Sequence, residues 1–264
     1  MTLSIEPGTL LAAVRALTRA ARYDEARALL GSHSGPGFAL ARAEVGLALA
    51  YHGRSPDGVL ATLVAAAQDE TRADPVSSWD AGFLALRHAY TVEIFDPARV
   101  IGSPEGRDPA AIGALRRDAE ALHTAAPDTG RHGWAAFYLG LVHGNVHGEF
   151  DTGKPFWEEA LVRARSVGDE YLCFEALRHL GDYALEGAGD ADSARSQWEE
   201  SAAHAARAGG VPQVLAQQVL LARLALDRGE EQGARLLAAE VARWAEAIGA
   251  VRTAGHAREI LAGQ

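Results

Sequence analysis

The sequence predicts an all-α chain of about six helix hairpins closed by a C-terminal helix. Three observations carry that reading. Hydrophobic residues make up 48% of the 264, and most are Ala and Leu, which lead the helix propensity ranking. Runs that alternate β-branched and polar residues, the mark of half-buried strands, are missing. The chain also repeats itself. "AFYLGLVHGNVHGEFDTGKPFWEEAL" realigns on "ALRHLGDYALEGAGDADSARSQWEESA" and then on "VLLARLALDRGEEQGARLLAAEVA". Gly140, Gly181 and Ala222 then share one slot, each 41 residues from the last. Trp157 and Trp198 keep that spacing, as do Glu158-Glu159 and Glu199-Glu200. A period of this size marks stacked helix pairs.

The remaining elements follow in order. "YDEARALL" (23–30) reads as the second helix of a first hairpin, with Val14 in the slot of its partner. "AEVGLALAYHGRSPDGVLATL" places Gly46 in the slot and Gly53 in the turn. "FLALRHAY" (83–90) echoes "FEALRHLGDY" (174–183) and brings Tyr90 into the slot. "DPARVIGSPEGRDP" (96–109) is an irregular loop rich in Pro and Gly, followed by the helix "AAIGALRRDAEALHTAA". The last helix, "RTAGHAREILAG", offers Ala254, Ala257, Ile260 and Leu261 to its neighbour and Arg252, Arg258 and Glu259 to water. Helical arrays close their ends this way. The expectation is one domain over 1–264, with clear repeats at 134–250 and weaker ones at 6–130.

Leu139-Gly140 and Leu180-Gly181, the pairs Gly153/Trp157 and Ala194/Trp198, and the turns "GEFDTG", "GDADSA" and "RYDEA" together resemble the tetratricopeptide-repeat superfamily, in a long variant of about 40 residues per repeat. The resemblance implies a right-handed α-solenoid whose first helices line a concave, ligand-binding groove. Phase from the slot then names candidates. Arg87, Phe137 and Arg178 stand three residues before it. Thr91, Leu141, Asp182 and Arg223 stand one after it, and Trp134 and Glu175 six before it. Such a groove would stack an apolar group and clamp a carboxylate between arginines. The function implied is a non-catalytic module that holds a peptide or partner protein.

Composition narrows the alternatives. A net charge of -10 gives no basic stripe for nucleic acid. Cys173 is the only cysteine, so no intrachain disulfide forms, and its apolar run reads as a buried thiol. Arg15 and Arg19 interrupt the first apolar run, which reads as an amphipathic helix and not a signal peptide. No long uncharged apolar stretch suggests a membrane span. A cytoplasmic protein is expected, and the Ala/Arg/Gly-rich style suggests a bacterial one.

One stretch, "LVHGNVHGEFDTGKPFWEEAL" (141–161), invites two chemical readings. Gly148 to Lys154 spell G-x-x-x-x-G-K, but Pro155 stands where a phosphate loop needs Ser or Thr. Gly153 instead fills the small-residue slot, and Pro155 suits the first turn of a second helix. His143 and His147 share one helical face like metal ligands, with Glu149 or Asp151 nearby. No third histidine lies at a recognisable spacing, so a packing and turn role is expected, with no metal and no cofactor. The alternative function is a small-molecule-binding or catalytic helical protein using the same face. His143, His147 or His179 would then carry protons, since imidazole titrates near neutrality. The sequence itself assigns no reaction; it holds no G-x-S-x-G elbow or cofactor fingerprint.

Overall fold

The computed structural model describes residues 5–52 and 58–263. Among them are thirteen α-helices, one π-helical turn and no strand. The helices are α1 (Pro7–Arg19), α2 (Tyr23–Leu30), α3 (Pro36–Tyr51), α4 (Val59–Thr71), α5 (Pro75–Phe95), α6 (Pro109–Thr124), α7 (Thr129–Leu141), α8 (Phe150–Val167), α9 (Glu170–Glu186), α10 (Ala191–Arg207), α11 (Val211–Asp227), α12 (Glu231–Ala247) and α13 (Val251–Ala262). The π turn, Val142–Val146, follows α7. The all-α expectation holds, and the helices follow one another in the predicted order up to a final helix. The six slot residues fall on alternate helices, α1, α3, α5, α7, α9 and α11. The predicted turn residue Gly53 lies outside the described residues.

The chain divides into two compact units, Met1–Thr91 and Val92–Gln264. In the first, α1 packs on α2 and α3, and α3 packs on α4. Val14, Tyr23, Ala26, Leu30, Ala41 and Val45 form one core cluster. Ala43, Leu47, Leu60, Val64 and Leu84 belong to a second. A methyl group on Gly46 would stand 2.9 Å from Leu63 Cδ1, so the small slot residue lets α4 close on α3.

In the second unit the pairs α7/α8, α9/α10 and α11/α12 stack in sequence, and α13 packs on α12 and α11. Helix starts are set by aspartates. Asp108, Asp128, Asp169 and Asp190 each accept a hydrogen bond from a backbone N–H of the following first turn, which satisfies donors that the helix leaves unpaired. Of "GEFDTG" and "GDADSA" only the first two residues lie between the paired helices, with Gly148 and Gly189 both at positive φ, where only glycine is unstrained; the rest forms the first turns of α8 and α10.

Two local expectations need correction. Pro155 is not in the first turn of its helix. α8 begins at Phe150 and carries Pro155 inside it, so the Asp151 carbonyl has no N–H to meet four residues on. Both residues are exposed, and water can serve that carbonyl. Arg252 does not reach into water. Its guanidinium lies 3.4 Å from the ring centroid of Phe95, a stacked cation–π contact. Ala254, Ala257 and Ile260 are buried against α11 and α12 as expected.

The segment between α5 and α6 is wound around one buried cation. Arg107 donates to the Glu93 carbonyl and carboxylate, to the Val100 carbonyl at 2.9 Å and to the Ser103 carbonyl at 2.9 Å. The Gly102 N–H then donates to the Asn145 carbonyl at 2.7 Å, which fixes the loop to the π turn. Among the described residues no helix is long and apolar enough to cross a membrane.

Candidate ligand-binding site

The site residues are positioned by hairpin contacts. A methyl group on Gly140 would stand 2.5 Å from Trp157 Nε1 and 3.0 Å from the Gly153 carbonyl oxygen. On Gly181 it would stand 2.5 Å from Trp198 Nε1. Each indole therefore lies across its glycine, and the two helices of each pair are locked in register. That register turns the polar edge of α9 toward Trp198, whose Nε1–H donates to the Arg178 carbonyl and to Asp182 Oδ1, both at 3.1 Å.

Of the sequence candidates, Arg87 and Thr91 belong to the first unit and all the others to the second. Arg87 lies over the Phe83 ring at 5.7 Å. Thr91 is buried, and its hydroxyl donates to the Arg87 carbonyl at 2.7 Å. In the second unit Phe137 and Leu141 are buried too and contribute to packing. Trp134, Glu175, Arg178, Asp182 and Arg223 are half-buried, on α7, α9 and α11. Trp134 donates through Nε1 to Asp169 Oδ2 at 2.8 Å and its ring leans on Tyr171 at 6.1 Å.

Arg178 forms the polar centre. Its Nη1 lies 3.1 Å from His179 Nε2 and its Nη2 lies 3.7 Å from Asp182 Oδ2, a loose ion pair. An arginine only donates, so His179 accepts at Nε2 and carries its proton on Nδ1. His179 is wedged between Phe137, at 5.4 Å, and Trp157, stacked at 5.5 Å. Burial, and then the Arg178 charge, push its pKa well below the ordinary imidazole range. It is neutral at neutral pH and serves as an acceptor, not a proton carrier. Burial raises the pKa of Asp182, against the pull of Arg178 and of the Trp198 hydrogen bond.

His143 and His147 flank the π turn. His143 Nδ1 lies 2.7 Å from Glu149 Oε2, and its ring stacks on Phe156 at 5.7 Å with an interplanar angle of 2°. Glu149 also takes Arg116 Nη2 at 2.8 Å. The His143 hydrogen bond, then that of Arg116, holds its carboxylate below the usual range. Burial, then Arg116, lowers the pKa of His147. Lys154 pairs with Glu158 along α8 and lies over the Tyr183 ring, and Gly153 is packed against Gly140. Both are committed to the hairpin. Cys173 is buried, and its thiol is pushed up to about 11, chiefly by burial, which makes it a poor nucleophile.

Sequence phase missed three polar residues of the same unit. Tyr171 OH accepts from Gln213 Nε2 at 2.8 Å, which ties α9 to α11. Gln217, one turn further along α11, is fully buried, and neither amide atom meets a partner. The signal was present: Gln217 stands five residues before the slot, where the two preceding copies hold the buried Ala135 and Ala176.

No protein-family model matches the chain, and no curated protein does. Among solved structures it is similar to the crystal structure of Rap protein complexed with competence and sporulation factor, with 13% sequence identity and a TM-score of 0.49, over 96% of this chain and 77% of that one.

Proposed function

We propose that the protein is a non-catalytic binding module of the tetratricopeptide-like kind, holding a peptide or partner segment along the first helices of its second unit. The observation that supports this reading is a contrast between the two members of each pair. The second helices α8, α10 and α12 carry ion pairs one turn apart: Lys154–Glu158, Arg195–Glu199 and Glu231–Arg235. Such pairs suit a solvated face. The first helices α7, α9 and α11 carry, besides the loose one-turn pair Arg178–Asp182, half-buried aromatic and charged groups of mixed sign, Trp134, Tyr171, Glu175 and Arg223. Aromatic anchors beside arginine are the side chains that dominate recognition surfaces. A carboxylate brought to Arg178 would exchange a loose ion pair for charge-assisted hydrogen bonds.

The test is selection of peptides from a displayed random library against the full chain. Affinity of the selected peptides should fall by about tenfold or more in Arg178→Ala, the loss of one charge-assisted bond. It should be unchanged in Arg195→Ala on α10. Arg116, on α6, is unsuitable as that control, since it holds Glu149 beside His143. Equal affinity in the Arg178 and Arg195 variants would overturn the reading.

A further inference from the structure

Three helices of the second unit bring together a set of side chains that no sequence motif announces. His123 lies in the last turn of α6, His132 near the start of α7 and Glu159 on α8. His123 Nε2 is 2.9 Å from His132 Nε2. Glu159 spans the pair, with Oε2 3.4 Å from His123 Nε2 and Oε1 3.3 Å from His132 Nε2. All three are half-buried, with side-chain exposures of 21%, 28% and 30%, so they are held by packing yet open to a small solute.

These separations have a chemical meaning. Nitrogen and oxygen ligands about 2.0–2.2 Å from a tetrahedral zinc ion stand roughly 3.3–3.5 Å from one another. The edge from Glu159 Oε2 to His123 Nε2 already has that length, and the edge between the two Nε2 atoms needs to open by a few tenths of an ångström. The imidazole rings are perpendicular, with centroids 4.3 Å apart, closer than a head-on N–H···N bond would hold them. The two Nε2 atoms are thus close without meeting head-on.

The surroundings orient the carboxylate. Arg163 donates to Oε1 alone, from Nε at 2.8 Å and Nη2 at 2.7 Å. That orients the carboxylate in the manner of an outer-shell partner and leaves Oε2 to coordinate. The Phe156 ring meets His123 edge-on at 5.8 Å and walls one side.

We propose that His123, His132 and Glu159 bind one divalent ion of the zinc class, through two Nε2 atoms and one carboxylate oxygen, with water in the fourth position. Two imidazoles and a carboxylate select borderline transition metals over magnesium or calcium, which prefer all-oxygen sites. The ion would pin α6 to the α7/α8 hairpin. The expectation of no metal drawn from the sequence rested on His143 and His147, a different pair.

The experiment uses the full chain, stripped with a chelator, and zinc(II) and cobalt(II) salts as probes. Calorimetric titration should give one zinc per chain, and cobalt should give the intense visible bands of a tetrahedral complex. Zinc should also raise the melting temperature of the wild-type chain. His132→Ala and Glu159→Gln should lose the stoichiometric binding, the cobalt spectrum and the thermal shift, with helical circular dichroism retained. His143→Ala should keep all three. Zinc binding that is absent from the wild type, that persists in the folded His132 and Glu159 variants, or that is lost in His143→Ala would overturn the proposal. Should either variant lose its helical signal, His123→Gln supplies the same comparison with a polar side chain of similar size.

Discussion

The hairpins α7/α8 and α9/α10 are built on one register and finished differently. Each has a glycine under a tryptophan, Gly140 under Trp157 and Gly181 under Trp198, at the same separation along the chain. In α9/α10 the indole N–H finds the Arg178 carbonyl and Asp182. In α7/α8 Leu141 stands where Asp182 stands, and Trp157 Nε1 is buried without a partner. The first hairpin gains in closeness of approach: Gly153 occupies the position of Ala194, and a methyl on it would stand 2.8 Å from the Gly140 carbonyl oxygen. One motif has thus been held together in two ways, by backbone contact in α7/α8 and by a polar link in α9/α10. The polar link is also what puts a charged pair on the face of α9.

The largest effect should come from exchanging the small residues. Gly153→Ala in α7/α8 forces a methyl group against backbone, which cannot rotate away, so the helices must part. Overpacking of this kind costs about 1–3 kcal/mol, more than the roughly 1 kcal/mol that alanine returns in helix propensity. The reverse change, Ala194→Gly, should cost about 1 kcal/mol through propensity alone. Urea unfolding of both variants checks this. A neutral or stabilised Gly153→Ala would show that the two hairpins are equally spaced.

A smaller effect separates the two indoles. Trp157→Phe and Trp198→Phe remove similar volume, but only the second breaks hydrogen bonds. Trp198→Phe should therefore be the more destabilising by about 1.5–3 kcal/mol, the worth of a bond with one partner charged. Similar losses in both variants would mean that the link to Asp182 adds nothing to stability.

This comparison also marks what could be read from the sequence. The glycine–tryptophan pairs, their period and the hairpins α1/α2, α3/α4, α7/α8, α9/α10 and α11/α12 were legible because each rests on contacts within one hairpin, where spacing along the chain fixes spacing in space. Contacts between hairpins were not legible. Arg252 on Phe95, Trp134 on Asp169, and His123 with His132 and Glu159 join residues whose separations carry no period. Of the proposed face, phase picked out Arg178 and Asp182, which are half-buried, but could not tell that Phe137 and Leu141 turn into the core. Period and propensity also gave no sign of the boundary between the units after Thr91.

The finest test concerns a single slot. Tyr138 in α7 and His179 in α9 are counterparts, both buried, and only the histidine titrates near neutrality. Burial and Arg178 set the folded pKa of His179 well below its ordinary value, while the unfolded chain titrates near the usual ~6.5. The unfolded state therefore binds the extra proton first as pH falls. His179 contributes stability that is fully present above about pH 6.5 and is progressively lost below it, down to the folded pKa. The lowered values of His132 and His147 act in the same direction, so the whole chain should lose melting temperature between pH 7 and pH 5, a window bracketing ~6.5. His179→Gln keeps an oxygen to accept from Arg178 and removes one titrating group. It should leave stability near pH 7 little changed and make the acid-side decline shallower, while Tyr138→Phe leaves the slope as it was. A melting series across that range decides the point: an unaltered slope in His179→Gln would mean that His179 takes up its proton in the folded chain as easily as in the unfolded one, and that the wedge between Phe137 and Trp157 does not keep it neutral.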